Sequence, residues 1–280
     1  MALASMPRLT PATAVMPGGV RQRAAGALAK VMKVVLQGAG GGTDYNDGID
    51  GGAGGCVEIE MPVYPGDLFT LQAPQGGATG VAAAGSGQGG GSARLFRGDS
   101  TSLADLIAIA AGGGGAGDTK IGGAGGQTPQ SGAGTDAGNG GAGSDLQGGN
   151  GTGGSGVGGG KDKGWPDGGD GAGEFTVLSG GGGGGGGKPG GDGGGPSDNG
   201  SGGQGGTSWA DPTVYTSVTY LDGAAATPHA ARNALLSGYG AGGTASTDDG
   251  QDGRILIYID TVLLATLDYS GAPVPFVVPV

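Results

Sequence analysis

The side chains that most often carry out catalysis are scarce in this chain. Its 280 residues include one histidine, His229, and one cysteine, Cys56. A catalytic nucleophile needs a base within hydrogen-bond reach, and a general acid works beside a second titratable group. The aspartates and glutamates are scattered without such a pairing, and no glycine run ends in the Lys-Ser/Thr sequence of a phosphate-binding loop. The sequence therefore predicts a protein that is not an enzyme and uses no cofactor.

One acidic segment has some of the features of a calcium-binding loop. Residues 44–50 have the sequence Asp-Tyr-Asn-Asp-Gly-Ile-Asp. An EF-hand places Gly at its sixth position and a bidentate Glu at its twelfth, whereas here Gly48 is fifth and Gly55 is twelfth. We therefore assign no metal site, and weak cation binding by these carboxylates stays open.

Aromatic residues set among glycines and polar residues are the candidates for binding. Rigid rings supply contact area with little loss of conformational entropy, and segments 43–47, 161–167 and 208–211 have this character. The candidate receptor-binding residues are Tyr45, Asn46, Asp162, Trp165, Asp167 and Trp209. Trp209 leads into a predicted strand, so a role in covering the protein core is at least as well supported as a role in receptor binding. Trp165, isolated among polar residues, is the stronger candidate.

Charge divides the chain into a basic start and an acidic body. The first 43 residues carry five positive charges and no negative one, although the whole chain has a net charge of −11. Four of the five are candidates for attachment to a partner: Arg8, Arg21, Arg23 and Lys30. An equally good interpretation of this basic segment is a solvated, flexible tail without an attachment role. The acidic body argues against nucleic-acid binding, and no apolar stretch reaches the ~18 residues of a membrane span, so membrane insertion is not expected.

The elements that must position these residues are short apolar islands, which predict β-strands around one core. In residues 56–61, Val57, Ile59 and Met61 alternate with glutamates, which is the period of a half-buried strand. Further strands are predicted at 33–36, 68–71, 213–221, 254–259 and 262–267. Turns at 65–67 and 260–261 predict two hairpins, and the proline-containing tail 272–280 cannot be a central strand. The chain divides into a basic arm (1–32), a glycine-rich domain (33–260) and an apolar C-terminal strand and tail (261–280).

Glycine makes up 77 of the 280 residues, and 47 of these lie within residues 112–206. A flexible linker is the usual interpretation of such a composition, but apolar islands such as 103–111 run directly into glycine tracts. Collagen requires Gly at every third position, and the spacing here is irregular. The remaining interpretation is a lattice of polyproline-II-like strands, whose backbones approach closely because glycine has no Cβ. The predicted fold is all-β, with short aliphatic strands framing a sandwich of packed polyglycine-II strands and little helix.

The order of these elements resembles the glycine-rich domains of bacteriophage tail-fibre and adhesin proteins. The resemblance covers about residues 33–260. It rests on a strand that ends in glycines (33–42), a glycine-led strand and Pro-Gly turn (54–71), an apolar segment that runs into glycines (102–115), and an Asp-Gly turn into an aliphatic strand (252–258).

This resemblance implies a non-enzymatic virion protein that presents loops at one end of a glycine sandwich to the host receptor. The implied partners are other proteins of the tail fibre, tail tip or capsid, with a host surface glycan or outer-membrane protein as receptor. Whether the protein also forms a homo-oligomer stays open. One alternative is a capsid or baseplate accessory protein that assembles through its termini and binds no receptor. A bacterial surface or matrix protein is more distant, because no signal peptide is recognised.

Overall fold

The computed structural model describes residues 28–45, 47–80, 85–134, 148, 180–195, 200–245 and 248–280. Within these ranges the protein is all-β, as predicted, and its helical content is two single 3₁₀ turns, Leu103–Asp105 and Ala234–Leu236. The strands are β1 (Lys30–Gln37), β2 (Cys56–Val63), β3 (Leu68–Gln72), β4 (Ala93–Arg97), β5 (Leu106–Ala110), β6 (Trp209–Ala210), β7 (Ser217–Leu221), β8 (Arg254–Ile259), β9 (Val262–Asp268) and β10 (Val274–Val277).

The ten strands form two antiparallel sheets of five. The first sheet has the order β7-β2-β1-β8-β9, and the second has the order β10-β3-β4-β5-β6. Cross-strand register places Val34 of β1 between Ile59 of β2 and Ile257 of β8. These side chains are fully buried in one core with Leu95 and Ile107 of the second sheet. The alternating apolar positions thus meet between two sheets, as in a β-sandwich.

The predicted hairpin between residues 56–61 and 68–71 is wrong. A tight turn does form, with Asp67 and Tyr64 joined by a backbone hydrogen bond of 3.0 Å and by a 2.9 Å bond from the Tyr64 N–H to the Asp67 carboxylate. However, β2 already pairs with β1 and β7, whereas β3 pairs with β4 and β10. Because both edges of β2 are occupied within its own sheet, the turn carries the chain from the first sheet to the second.

One further predicted strand is shorter than expected, and one predicted hairpin forms. The predicted strand at 213–221 begins only at Ser217, because the Asp211 carboxylate accepts hydrogen bonds from both the N–H and the hydroxyl of Thr213 and holds those residues in a turn. The hairpin at 260–261 is confirmed, since β8 and β9 pair across it. Asp260 and Thr261 both have positive φ (48° and 72°), the conformation of a type I′ turn.

The proline-containing tail lies at the edge of a sheet, in agreement with its sequence. β10 is the last strand of the second sheet and pairs only with β3 among the described strands. Pro275 within it has no N–H to donate, which an edge strand tolerates and a central strand does not. Both C-terminal strands, β9 and β10, are therefore edge strands, one in each sheet.

Glycine-rich segments continue from the strands and pack around one another. Residues 38–43, which follow β1, lie at the centre of six neighbouring segments and make backbone hydrogen bonds of 2.8–3.3 Å with all of them. Successive N–H groups donate in rotation to 52–55, 88–91 and 248–251. The carbonyl groups accept from 113–116, 77–80 and Gly243.

A second segment, residues 111–117 after β5, has the same environment. Its N–H groups donate to 183–186, 39–42 and 120–123, and its carbonyls accept from 52–55, 87–90 and 203–206. Each partner recurs at every third residue, which is the repeat of a polyproline-II strand. The polyglycine-II prediction is thereby confirmed, and the linker interpretation is wrong for the described parts of residues 112–206.

The absence of a side chain is a strict requirement inside this lattice. A Cβ built on Gly41 would overlap the carbonyl oxygen of Gly114, and one built on Gly115 would overlap that of Gly87. These obstacles are backbone atoms that are themselves fixed by hydrogen bonds, so they cannot move aside as the end of a flexible side chain would. Glycine is required here for close approach of backbones, whatever its φ.

An ion pair links two strands of the first sheet and contacts the residue that precedes glycine segment 240–243. Arg254, at the start of β8, makes a bidentate contact with Asp268 of β9 at 2.6 and 2.9 Å. The guanidinium also lies 3.8 Å from the ring centroid of Tyr239 and contacts its hydroxyl. The hydrogen bond with Arg254 is the main reason that the pKa of Asp268 is lowered from its ordinary value.

Replacing Gly41 by Ala should disrupt folding. We expect a loss of at least about 3 kcal/mol in the free energy of unfolding, because the added methyl group overlaps fixed backbone. Gly66→Ala is the control: Gly66 has φ +86° but open space around an added Cβ, so its loss should be about 1 kcal/mol. Denaturant unfolding measures both, and equal losses would contradict the close-packed lattice.

Asp268→Asn should lower stability at neutral pH by less than about 1 kcal/mol, because the Asp268 side chain is 53% exposed and screened by solvent. The folded-state pKa is depressed, so the stabilisation is present above the unfolded pKa of about 3.9 and is lost as the pH falls through the folded pKa. Thermal unfolding from pH 7 to pH 2 should show the two proteins converging in acid. A constant difference down to pH 2 would exclude a contribution from the charge.

Candidate functional site: the distal loops

The glycine-rich segments end in turns on the side away from both sheets, which we call the distal end. Three turns lie there in whole or in part, described at residues 43–45 and 47–49, at 117–121, and at 243–245 and 248. Three further connections leave the described ranges after residues 80, 134 and 195. Because the described segments run out from the sheets and return, the fold gathers these three turns on one surface.

Hydrogen bonds between the distal turns show how closely they lie. The Tyr45 N–H donates to the Gly85 carbonyl at 2.8 Å, and the Asp118 N–H donates to the Gly180 carbonyl at 3.3 Å. Thr43 is tied in the same way to Asp248. Turns that are up to about 200 residues apart in sequence are thus neighbours, and the backbone of each is fixed by another.

The exposed apolar side chains of the described distal turns are Tyr45 and Ile121. They are 40% and 42% exposed, respectively. Each belongs to a turn whose flanking glycine strands are locked into the lattice. The backbone that carries these side chains is therefore fixed by its neighbours.

Three carboxylates also meet at the distal end. One oxygen each from Asp44, Asp47 and Asp118 lie within 4.8 Å of one another, and the Asp47 N–H donates to Asp44 at 2.6 Å. Asp44 is buried, Asp118 is half-buried and Asp47 is exposed. A calcium ion takes six to eight oxygen ligands, so these three groups are a locally acidic surface to which we assign no metal.

Sequence reasoning did not find Asp118 as a member of this group. Asp118 follows the glycine run after β5, in a different turn from Asp44 and Asp47. Nothing in the local sequence links the two turns, since an Asp after several glycines occurs repeatedly in this chain. The hydrogen-bond rotation of the lattice is what brings segment 111–117 beside segment 38–43.

The predicted receptor-binding residues fall in different places. Tyr45 lies at the distal end, while Asn46, Asp162, Trp165 and Asp167 are outside the described residues. Trp209 is half-buried in β6 of the second sheet, where it packs against a cluster of Phe96, Leu106 and Ile109. The Lys188 Nζ lies 3.6 Å from its ring centroid. The structure therefore does not bring Trp209 together with Tyr45, and a binding role for either stays a prediction.

The opposite end of the sheets, which we call the proximal end, contains the first and last described residues. Lys30, one of the predicted attachment residues, begins β1 here and its Nζ donates to the Pro279 carbonyl at 3.0 Å; Arg8, Arg21 and Arg23 lie outside the described residues. Val278 exchanges backbone hydrogen bonds with the turn between β2 and β3. Several exposed apolar residues lie in the strands and chain segments of this end, namely Leu28, Val31, Val262, Leu263, Leu264, Val277 and Val280.

Cys56 and His229, the residues most able to act as a nucleophile or a base, differ in environment. Cys56 is buried at the start of β2, and burial, with a smaller contribution from Glu58, raises the pKa of its thiol to about 12. His229 is exposed, and its Nδ1 accepts a hydrogen bond from the Ala231 N–H in a local turn. The thiol is thus held in its protonated, unreactive form at neutral pH.

Comparison with known proteins assigns no function to the distal surface. A search of known protein families and of curated proteins finds no match to the chain. Over the ranges that the structure describes, helices long and apolar enough to cross a membrane are not found.

The Cys56 thiol should resist labelling in the folded protein. Because the group is buried and its pKa is about 12, we expect a disulfide-exchange reagent at pH 8 to react at a rate limited by protein opening. The unfolded protein in denaturant should react at once and supplies the reference rate. Rapid labelling of the native protein would show that β2 opens or that the thiol is accessible.

Proposed function

We propose that this protein is a non-enzymatic structural component of a bacteriophage particle, at a tail fibre or tail tip, and that its distal loops bind a host receptor. One observation carries the proposal: the lattice separates two ends of the molecule. Loops gather at the distal end, whereas the first and last described residues and several exposed apolar side chains lie at the proximal end. The resemblance of residues 33–260 to glycine-rich tail-fibre domains supports the same assignment.

The lattice suits a protein whose loops must vary while its fold stays fixed. Its stability resides in backbone hydrogen bonds and in the apolar sheets, whereas the side chains of Tyr45 and Ile121 are exposed and lie outside the buried core. Substitutions at Tyr45 or Ile121 can therefore alter the binding surface without disturbing the core. Paratopes use the same division between a fixed scaffold and exchangeable loops.

The chemistry of the distal surface fits a receptor with both apolar and hydroxyl groups. The Tyr45 ring offers a flat apolar face with a polar tip, and the carboxylates of Asp47 and Asp118, which lie close together, can accept hydrogen bonds from a ligand. A surface glycan presents C–H faces and hydroxyl donors, and the loop of an outer-membrane protein presents a similar mixture. The acidic group disfavours a strongly anionic receptor, because like charges would approach one another.

A second candidate function is an accessory role in a capsid or baseplate, without receptor binding. The exposed apolar residues at the proximal end favour it, since Val262, Val277 and Val280 are 58% exposed or more. Apolar side chains concentrated in one region often mark a protein contact. The two candidates share a proximal attachment and differ in whether the distal surface has a ligand.

Binding to host cells separates the two functions. The labelled full-length protein should bind susceptible bacteria and compete with phage adsorption, and Tyr45→Ser combined with Ile121→Ser should weaken binding at least about tenfold. Leu103→Ser is the matched control, because Leu103 is 38% exposed but lies in the proximal turn between β4 and β5. Equal loss in both variants, or a virion protein that binds no host cell, would leave only the accessory role.

A further inference from the structure

Two buried glutamines occupy equivalent places in the two sheets. Gln37 is the last residue of β1 and Gln72 is the last residue of β3, and each strand runs directly into a glycine-rich segment. Their neighbours Leu36 and Leu71 belong to the core between the sheets, so both glutamines point to the outer face of their own sheet. Gln37 is fully buried and Gln72 is 2% exposed. Both amide groups therefore need hydrogen-bond partners to the same degree.

The amide group of Gln37 is bonded by the protein itself. Its Nε2 donates to the backbone carbonyls of Gly38, Gly54 and Gly55 at 3.0–3.2 Å. Its Oε1 accepts a 2.9 Å hydrogen bond from the guanidinium of Arg232. Both polar atoms of the side chain thus have partners, and the end of β1 is tied to the glycine segment that leads into β2.

The amide group of Gln72 has no such partners. Within the part of the chain that the structure describes, neither its Nε2 nor its Oε1 forms a hydrogen bond. Exchanging the two amide atoms does not change this, because both of them lack a partner. Burying an amide without hydrogen bonds is costly, and most buried side-chain polar atoms in proteins bond either to protein or to ordered water. The Gln72 side chain therefore indicates a bound group that both accepts and donates a hydrogen bond.

Other buried polar groups lie on the same face of the second sheet. Arg94 of β4 is directly opposite Gln72 in the register, so the two side chains leave the sheet side by side. Arg94 is 2% exposed, and its Nε donates to the hydroxyl of the fully buried Ser92 at 2.9 Å. A buried water is held by two to four polar partners. Gln72 alone supplies a donor and an acceptor, and the region around it is polar.

We propose that the end of β3 is a binding site for one or two internal water molecules, held by the Gln72 amide. Water accepts a hydrogen bond from Nε2 and donates one to Oε1. A metal cation cannot accept from Nε2, and an anion such as phosphate or chloride has no proton to donate to Oε1. Because Gln72 is 2% exposed, the site suits a small ligand. Water thus does for Gln72 what backbone carbonyls and Arg232 do for Gln37, and the site is independent of the proposed function.

Oxygen-17 relaxation dispersion of the full-length protein tests the site, because it counts long-lived internal waters and does not detect hydroxyl groups. A chain of this length is expected to hold on the order of ten buried waters, so the count is compared between variants. Gln72→Leu should lose about one or two of them, since both amide atoms are removed. Gln37→Leu is the matched control: it removes an equally buried amide whose partners are protein atoms, and the count should stay unchanged.

Nuclear Overhauser effects in the unmodified protein give an independent measurement. The side-chain amide protons of Gln72 should show cross-peaks to water with the sign of a long-lived complex, whereas those of Gln37 should show none. This result stands even if a leucine variant fails to fold. The proposal is overturned if Gln72→Leu keeps the wild-type number of internal waters, if Gln37→Leu loses the same number as Gln72→Leu, or if the Gln72 amide protons show no contact with long-lived water.

Discussion

Backbone hydrogen bonds between strands that approach without side chains are the constraint on which the rest of this structure depends. In an ordinary sheet each strand has two hydrogen-bonding neighbours, whereas segments 38–43 and 111–117 each have six. Three neighbours accept hydrogen bonds from the N–H groups of the segment, and three donate hydrogen bonds to its carbonyl groups. Fixing a glycine costs more backbone entropy than fixing any other residue. The lattice is therefore stable only where nearly every backbone group is paired and the strand ends are held.

The two sheets supply that anchoring. β1, β3 and β5 lead directly into glycine segments, and β2, β4 and β8 receive segments that return. The apolar core between the sheets fixes the position and direction of each strand, so the glycine segments start in register with one another. Buried apolar area and lattice hydrogen bonds are consequently coupled, because losing the first removes the alignment that the second needs.

The same construction gives the molecule two ends with different chemistry. The distal end consists of turns that expose Tyr45 and Ile121, and it is the surface that we propose for receptor binding. The proximal end contains β-strand ends, the first and last described residues and exposed apolar side chains, which suit contacts with other protein chains.

The fold class, most strand positions, the hairpin at 260–261 and the polyglycine-II character follow from the sequence, because they depend on local patterns of residue type, whereas the type I′ geometry of that hairpin does not, since threonine disfavours a positive φ. Alternation identifies strands such as 56–61, and dense glycine beside apolar islands identifies close backbone packing. The tertiary structure alone decided that β2 and β3 belong to different sheets, that Trp209 packs on the second sheet, and that Asp118 joins Asp44 and Asp47. Glycine has no side chain that encodes its partner, so which segments become neighbours is set by the order of the strands that hold them.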